Sequence, residues 1–184
     1  MIELLSNEID HKRLYQDMDK LLSDHNLWSV RQISLTSVTG ADDWDCSIGR
    51  IVDLAYKERM YSEINYSLKN TYIAELIEKY KKFYRWRLLH IPAGQCYSVH
   101  RDALGPNQLN KRIHIPVQTN DKSFFCYHNN LPAHDTETTV SYHHLEVGKA
   151  YEVDTTGYHS AINYGKTSRY HIVGVRYKNR DNDK

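Results

Sequence analysis

The 184-residue sequence predicts a mainly-β domain, a sandwich or barrel with helices packed over the outside of one sheet. Three observations carry that prediction. From Tyr84 onward the apolar positions recur every second residue, the period of a strand. Eight such runs follow one another, broken by short segments rich in Gly, Pro, Asn and Asp. Before Tyr84 two segments instead show the 3.6-residue period of an amphipathic helix. The chain reads as a single domain over 1–184, with 1–83 a mostly helical N-terminal cover and 84–178 the β core.

Taken in order, Asn7-Glu-Ile-Asp precedes a stripe of Leu14, Met18, Leu21 and Leu22, which gives a first helix ending near Ser23. Val30 to Val38 alternates in part and reads as a strand closed by Thr39-Gly40-Ala-Asp-Asp. Gly49 to Lys69 has no clear period. Thr71 to Lys82 predicts a second helix, with Ile73, Leu76, Ile77 and Tyr80 inward and the pairs Glu75/Lys79 and Glu78/Lys82 on the outer face. The eight strands are Tyr84–Ile91, Tyr97–Asp102, Lys111–Thr119, Phe124–His128, Thr138–Val147, Ala150–Asp154, His159–Asn163 and Ser168–Tyr177. Pro92-Ala-Gly94, Leu104-Gly-Pro-Asn107 and Thr119-Asn-Asp-Lys122 are among the turns between them.

Composition narrows the function. Twenty-four basic against 23 acidic residues leave a formal net charge of +1, so there is no electrostatic footprint for nucleic acid. No apolar run approaches the roughly 20 residues of a membrane span, and mean hydropathy is −0.69. The first residues, Met-Ile-Glu-Leu-Leu-Ser-Asn-Glu, lack the basic and long apolar regions of a signal peptide. Cys46, Cys96 and Cys126 form neither a CxxC pair nor an even set for disulfides, which points to a reducing, cytoplasmic setting.

The polar residues of the β half carry the chemistry. In Ser98-Val-His-Arg-Asp102, strand parity projects His100 and Asp102 on one face, where an imidazole and a carboxylate can grip one side of a divalent metal. The triplet alone means little, since 11 histidines and 14 aspartates yield roughly one His-x-Asp by chance. His144-Leu-Glu146 has the same spacing. Only after His100/Asp102, however, does enough chain follow to build a barrel around a third ligand, His159. Two histidines and one carboxylate with open positions opposite form the facial triad of non-haem Fe(II) oxygenases.

Parity also places cations inside. Arg112 and His114 share a face, with Ile113, Ile115 and Val117 on the other. Arg169 and His171 lie in phase with Val173 and Val175, so Arg169 points inward. A buried guanidinium stripped of its partner loses about 3–5 kcal/mol. Arg169, and with it Arg112, therefore calls for an anion in the barrel; a dicarboxylate gripped bidentately meets that need. Arg112 has a second reading, neutralising the carboxylate of the metal site. His90, His128, His143 and His144 read as surface or packing residues.

Together these motifs resemble a known family. Arg87-Leu-Leu-His-Ile-Pro-Ala-Gly94, His100-Arg-Asp102, Arg112-Ile-His-Ile-Pro116, Asp154-Thr-Thr-Gly-Tyr-His-Ser160 and Arg169-Tyr-His-Ile-Val173 look like the aspartyl/asparaginyl β-hydroxylases. These are Fe(II)- and 2-oxoglutarate-dependent oxygenases and include free L-proline hydroxylases. The resemblance spans about Tyr84 to Tyr177. It implies a double-stranded β-helix, that is, a cupin-like jelly roll. It implies Fe(II) on His100, Asp102 and His159, with 2-oxoglutarate as cosubstrate, O2 as oxidant and ascorbate as a stimulant. Arg169 would take the distal carboxylate of 2-oxoglutarate, with Arg112 and His114 assisting the carboxylates of cosubstrate or substrate. The animal peptidyl aspartyl hydroxylase lacks the carboxylate ligand, whereas this chain has Asp102, as the bacterial proline hydroxylases do. The expected substrate is accordingly a small molecule, an amino acid either free or as an Asp, Asn or Pro residue in a peptide. The alternative is a non-redox metal-dependent cupin, an isomerase or a small-molecule binding module.

Overall fold

In the computed structural model, residues 1–49, 57–102, 108–131 and 137–179 are described. The β half holds all eight expected strands: β5 (Tyr84–Ile91), β6 (Gln95–His100), β7 (Gln108–Gln118), β8 (Ser123–His128), β9 (Val140–His143), β10 (Ala150–Asp154), β11 (His159–Asn163) and β12 (Arg169–Asn179). The expected turn Leu104-Gly-Pro-Asn107 lies outside the described residues. One sheet runs β10-β7-β12-β5 through its centre and the other runs β6-β11-β8-β9, with antiparallel pairing throughout. Apart from β8 and β9, which pair as neighbours in the smaller sheet, consecutive strands from β5 to β12 thus alternate between two facing sheets. This is the double-stranded β-helix, or jelly roll.

The N-terminal part is less purely helical than its periodicity predicts. α1 (His11–Asp24) and α2 (Tyr72–Lys79) form where expected. Asp10 caps the first, its carboxylate accepting from the Arg13 N–H, and Thr71 caps the second, accepting from the Ala74 N–H. The expected strand Val30–Val38 forms in two pieces, β2 (Gln32–Ser34) and a second one over 36–37, and β2 and the unexpected β1 (Ile2–Ser6) join the larger sheet as its two edges, giving the order β1-β10-β7-β12-β5-β2. β1 pairs with a strand about 150 positions away, a contact that no local pattern announces. β3 (Thr36–Ser37) and β4 (Glu63–Ile64) make a separate two-stranded ribbon. α2 ends at Lys79, short of the expected Lys82, and Glu75 reaches across to Arg13 of α1 at 2.6 Å.

The larger sheet is buried on both faces, and its two faces differ. Ile113, Ile115 and Val117 of β7 are fully buried with Leu88, Ile172, Leu14, Met18, Leu22, Ile73 and Leu76, so the main apolar core lies between the sheet and the helices. Burying such side chains contributes about 1.5–3 kcal/mol each. A smaller cluster of Phe125, Leu145, Tyr151 and Val153 lies inside the barrel. Because the helices cover the outer face, the inner face of the same strands is free to carry polar groups.

The fold has one tight point that bears on the site. Between the pairs Arg87–Val173 and Tyr84–Val175, two residues of β5 oppose Gly174 alone, a β-bulge. Arg85, the first bulged residue, has φ +52°, in the left-handed region where side chains other than glycine are uncommon. Trp86 closes directly over Gly174, so a Cβ there would lie 2.9 Å from the indole Cε2. Gly174→Ala is therefore expected to destabilise the protein by about 1–3 kcal/mol through overpacking. A lower urea midpoint at unchanged slope would register this; an unchanged midpoint would contradict the packing described.

Candidate metal centre

Strand register brings the three predicted ligands together. β6 ends at His100 and β11 begins at His159, and these two residues are direct antiparallel partners with rings 4.3 Å apart. Asp102 follows β6, its backbone N–H donating to the Thr155 carbonyl at 3.0 Å. His100 Nε2 then lies 3.8 Å from Asp102 Oδ1, and His159 Nε2 lies 3.8 Å from Asp102 Oδ2. All three ligand atoms fall within 4.8 Å of one another, and among the described residues no other such group of His, Cys, Asp and Glu occurs. His144 instead engages the Ser123 carbonyl, and Glu146 pairs with Lys149.

Each histidine is oriented for ligation. His100 Nδ1 lies 2.7 Å from the Ser98 carbonyl and His159 Nδ1 lies 3.0 Å from that of Gly157. A carbonyl oxygen only accepts, so each Nδ1 carries the proton and each Nε2 presents its lone pair toward Asp102. Phe125 stacks on His159 at 5.4 Å and 13°, holding the ring in plane. Burial lowers the His159 pKa to about 4, so this imidazole is neutral at physiological pH. For Asp102, burial works upward but is outweighed by Arg112, the two histidines and Thr155, leaving the carboxyl below its ordinary value. The donor set thus fits a divalent metal. Ligand atoms at about 2.1 Å and right angles would sit roughly 3 Å apart, so small side-chain rotations close the shell.

Behind the triad the cavity is lined with cations. It encloses about 210 Å³ and is bounded by His100, Asp102, His159, Arg87, Arg112, His114, Tyr97, Phe125 and Arg169, among others. That is below the ~300–1,000 Å³ of sites for drug-sized ligands, which suits a small molecule. Arg112 Nε lies 2.6 Å from Asp102 Oδ2, an ion contact although its N–H is not aligned for a hydrogen bond. This contact is the one expected where Arg112 neutralises the Asp102 carboxylate, and Arg112 lines the cavity as well. Arg169 is 2% exposed, and its one side-chain hydrogen bond among the described residues is to the His171 ring, at 3.1 Å. Burial lowers its pKa to about 10. Neither ring nitrogen of His114 has a hydrogen-bond partner among the described residues, and burial together with Arg169, Arg112, His159 and Arg87 keeps the ring neutral. At the rim Arg101 sits over the Tyr158 ring at 5.4 Å.

Two further cations belong to this interior. Arg85 is held by the Glu58 carboxylate and by the carbonyls of Ser47 and Gly49. Arg87, 4% exposed, lines the cavity itself. The sequence offered a signal for Arg87, which lies in phase with Leu89 and Ile91, the parity argument that located Arg169. It is masked because β5 is apolar on both faces.

No family model and no curated protein sequence matches the chain. Solved structures share its fold. AviO1 from Streptomyces viridochromogenes Tue57 aligns with 93% of this chain and 85% of its own at 12% identity, with a TM-score of 0.53. The apo form of ThoJ, a non-heme monooxygenase, aligns with 97% and 76% at 11% identity and 0.50. A 2OG-Fe(II) oxygenase family oxidoreductase from Burkholderia pseudomallei gives 17% identity and 0.40 over 54% of this chain and 45% of that one. The chain thus spans about half the length of that protein. The class so defined is a double-stranded β-helix protein whose barrel mouth holds a His-Asp-His cluster.

Two predictions follow from the electrostatics. In the metal-free protein, the unfolded chain protonates His159 near its ordinary 6.5 while the folded one resists until about 4. Stability should therefore fall as pH drops through that window, by about 3 kcal/mol at most at ~1.4 kcal/mol per unit. Urea titrations across the window should show this slope in the wild type and a flatter one in His159→Gln; equal slopes would refute the assignment. Arg112→Leu removes the charge that holds Asp102 ionised, so Mn(II) affinity should drop about 10–100-fold. Its half-loading pH should also move upward, measurable by calorimetry with the free metal buffered.

Proposed function

We propose that the protein is an Fe(II)- and 2-oxoglutarate-dependent oxygenase that hydroxylates an amino acid, free or within a peptide. The observation that carries this reading is the pairing, in one cavity, of a metal-ready His-Asp-His cluster with the buried guanidinium of Arg169. A non-redox cupin can use the metal ligands, but it has no need of a buried, unneutralised arginine behind them. The likeness to the fold of a non-heme monooxygenase agrees with the proposal, as does the resemblance of the motifs to aspartyl/asparaginyl β-hydroxylases.

His100, Asp102 and His159 would hold the iron through Nε2, a carboxylate oxygen and Nε2. With 2-oxoglutarate and O2, the iron supplies oxidative decarboxylation of the cosubstrate to succinate and CO2, coupled to placing one oxygen atom on a substrate C–H carbon. The remaining work falls to the protein. Arg169 anchors the distal carboxylate of 2-oxoglutarate, which gives the guanidinium a counter-charge that the described residues do not supply. Arg112 keeps Asp102 ionised and in place. His114, neutral and without a hydrogen-bond partner among the described residues, offers a donor and an acceptor in the cavity. Phe125, Leu89 and Ala161 supply apolar lining that excludes water.

The direct test is succinate release with Fe(II), 2-oxoglutarate and ascorbate across free amino acids and short peptides. Turnover above the uncoupled background for at least one is expected; background rates for all would refute the substrate class. Arg169→Lys retains charge and loses the bidentate fork, so the KM for 2-oxoglutarate should rise roughly tenfold or more. Wild-type kinetics in that variant would favour the cupin alternative.

A further inference from the structure

We infer that Arg87 binds the α-carboxylate of a free amino acid as the primary substrate, on the metal side of the cavity and apart from the cosubstrate. The inference rests on the oxygenase reading and extends it to the substrate class.

The first argument is charge. The described residues place four guanidinium groups in or against the barrel interior, those of Arg85, Arg87, Arg112 and Arg169. Among the described residues two carboxylates face them, and each makes its ion pair with another arginine: Glu58 with Arg85 and Asp102 with Arg112, while both attract Arg87 without forming an ion pair with it. Arg169 and Arg87 remain without a counter-ion among the described residues. Arg87 uses one donor, Nη1 to Gln32 Oε1 at 3.2 Å, while its buried Nε and Nη2 find no hydrogen-bond partner. Burial first, then Arg112 and Arg85, lower its pKa to about 9. An exposed arginine would satisfy such donors with water; one that is 4% exposed and opens onto a cavity awaits an anion.

The second argument is position. Arg169 pairs with Ile91 and Arg87 pairs with Val173, so the two lie four strand positions apart along the sheet. At ~3.3 Å per residue that is roughly 13 Å between backbones, which gives the cavity two separate basic poles. Arg169 stands at the end where β5 turns into β6. Arg87 stands toward the opposite end, where β6 terminates at His100. A dicarboxylate running from Arg169 to the metal leaves Arg87 for a second molecule. A cavity of about 210 Å³ leaves that molecule small. A fork of N–H donors selects a planar carboxylate.

The test is calorimetry on the Mn(II)-loaded full-length protein without oxygen. 2-Oxoglutarate is titrated first. With it saturating, the proteinogenic L-amino acids and their α-carboxamides follow. At least one acid should bind about tenfold or more tightly than its amide, the worth of a charge-assisted pair. Arg87→Leu should bring that ratio to within about twofold while leaving the 2-oxoglutarate Kd within about twofold. Arg87→Lys should recover part of the ratio, and it carries the comparison if thermal melting shows the leucine variant unfolded. Three results would overturn the inference: no acid preferred over its amide by the wild type, a preference that survives the loss of Arg87, or weakened 2-oxoglutarate binding in the variants. Failure of wild-type protein to bind Mn(II) and 2-oxoglutarate would instead sink the oxygenase reading, so the two failures are distinguishable.

Discussion

Removing a guanidinium from water costs several kcal/mol unless a counter-charge or a full set of acceptors replaces the solvent. The interior of this barrel meets that condition unevenly. Glu58 and Asp102 neutralise Arg85 and Arg112, and the carbonyls of Ser47 and Gly49, in the segment after β3, also accept from Arg85. Glu152, though buried, is engaged by Arg176 and Lys111 on the outer face of the sheet and cannot help. Arg87 and Arg169, both buried, have no ion pair among the described residues. A protein tolerates such a debt only if the rest of the fold is stable enough to hold it, and only a binding site gives it a use.

The stability comes from the other side of the same sheet. β7 shows the division most plainly: Ile113, Ile115 and Val117 pack against α1 and α2, while Arg112 and His114 face the cavity. Without the helices the outer face would lie in water, and the sheet would have to bury its apolar residues inward, where the site now is. The helical cover and the polar interior are therefore one arrangement. The bulge at Arg85 belongs to it as well, since it sets Trp86 over Gly174 on the outside and leaves Arg85 and Arg87 inside.

The His-Asp-His cluster depends on where strands end more than on any single residue. His100 closes β6, His159 opens β11, and their pairing in register converts two distant positions into neighbours. Both rings then use the backbone carbonyl two residues earlier to fix their tautomer. This local device needs only that the chain leave the strand direction at the mouth of the barrel. Arg112, reaching from the facing sheet to Asp102, locks the two sheets together at that mouth.

Much of this was legible in the residues alone, because strand parity and helix period are local. Those periods located all eight barrel strands and both helices, put His100 with Asp102, and turned Arg169 inward. The ordered spacing of His100, Asp102 and His159 separated that set from His144 and Glu146. What the sequence left open depended on pairing between distant segments. β1 and β2 became sheet edges because β10 and β5 offered them open hydrogen-bonding groups. Arg87 was hidden in a strand apolar on both faces, where parity has no contrast to read. Parity turned Arg112 inward without naming its neighbour, and only the facing sheets set it 2.6 Å from Asp102. Parity tells a side chain which way to point; only the packed barrel decides what it meets there.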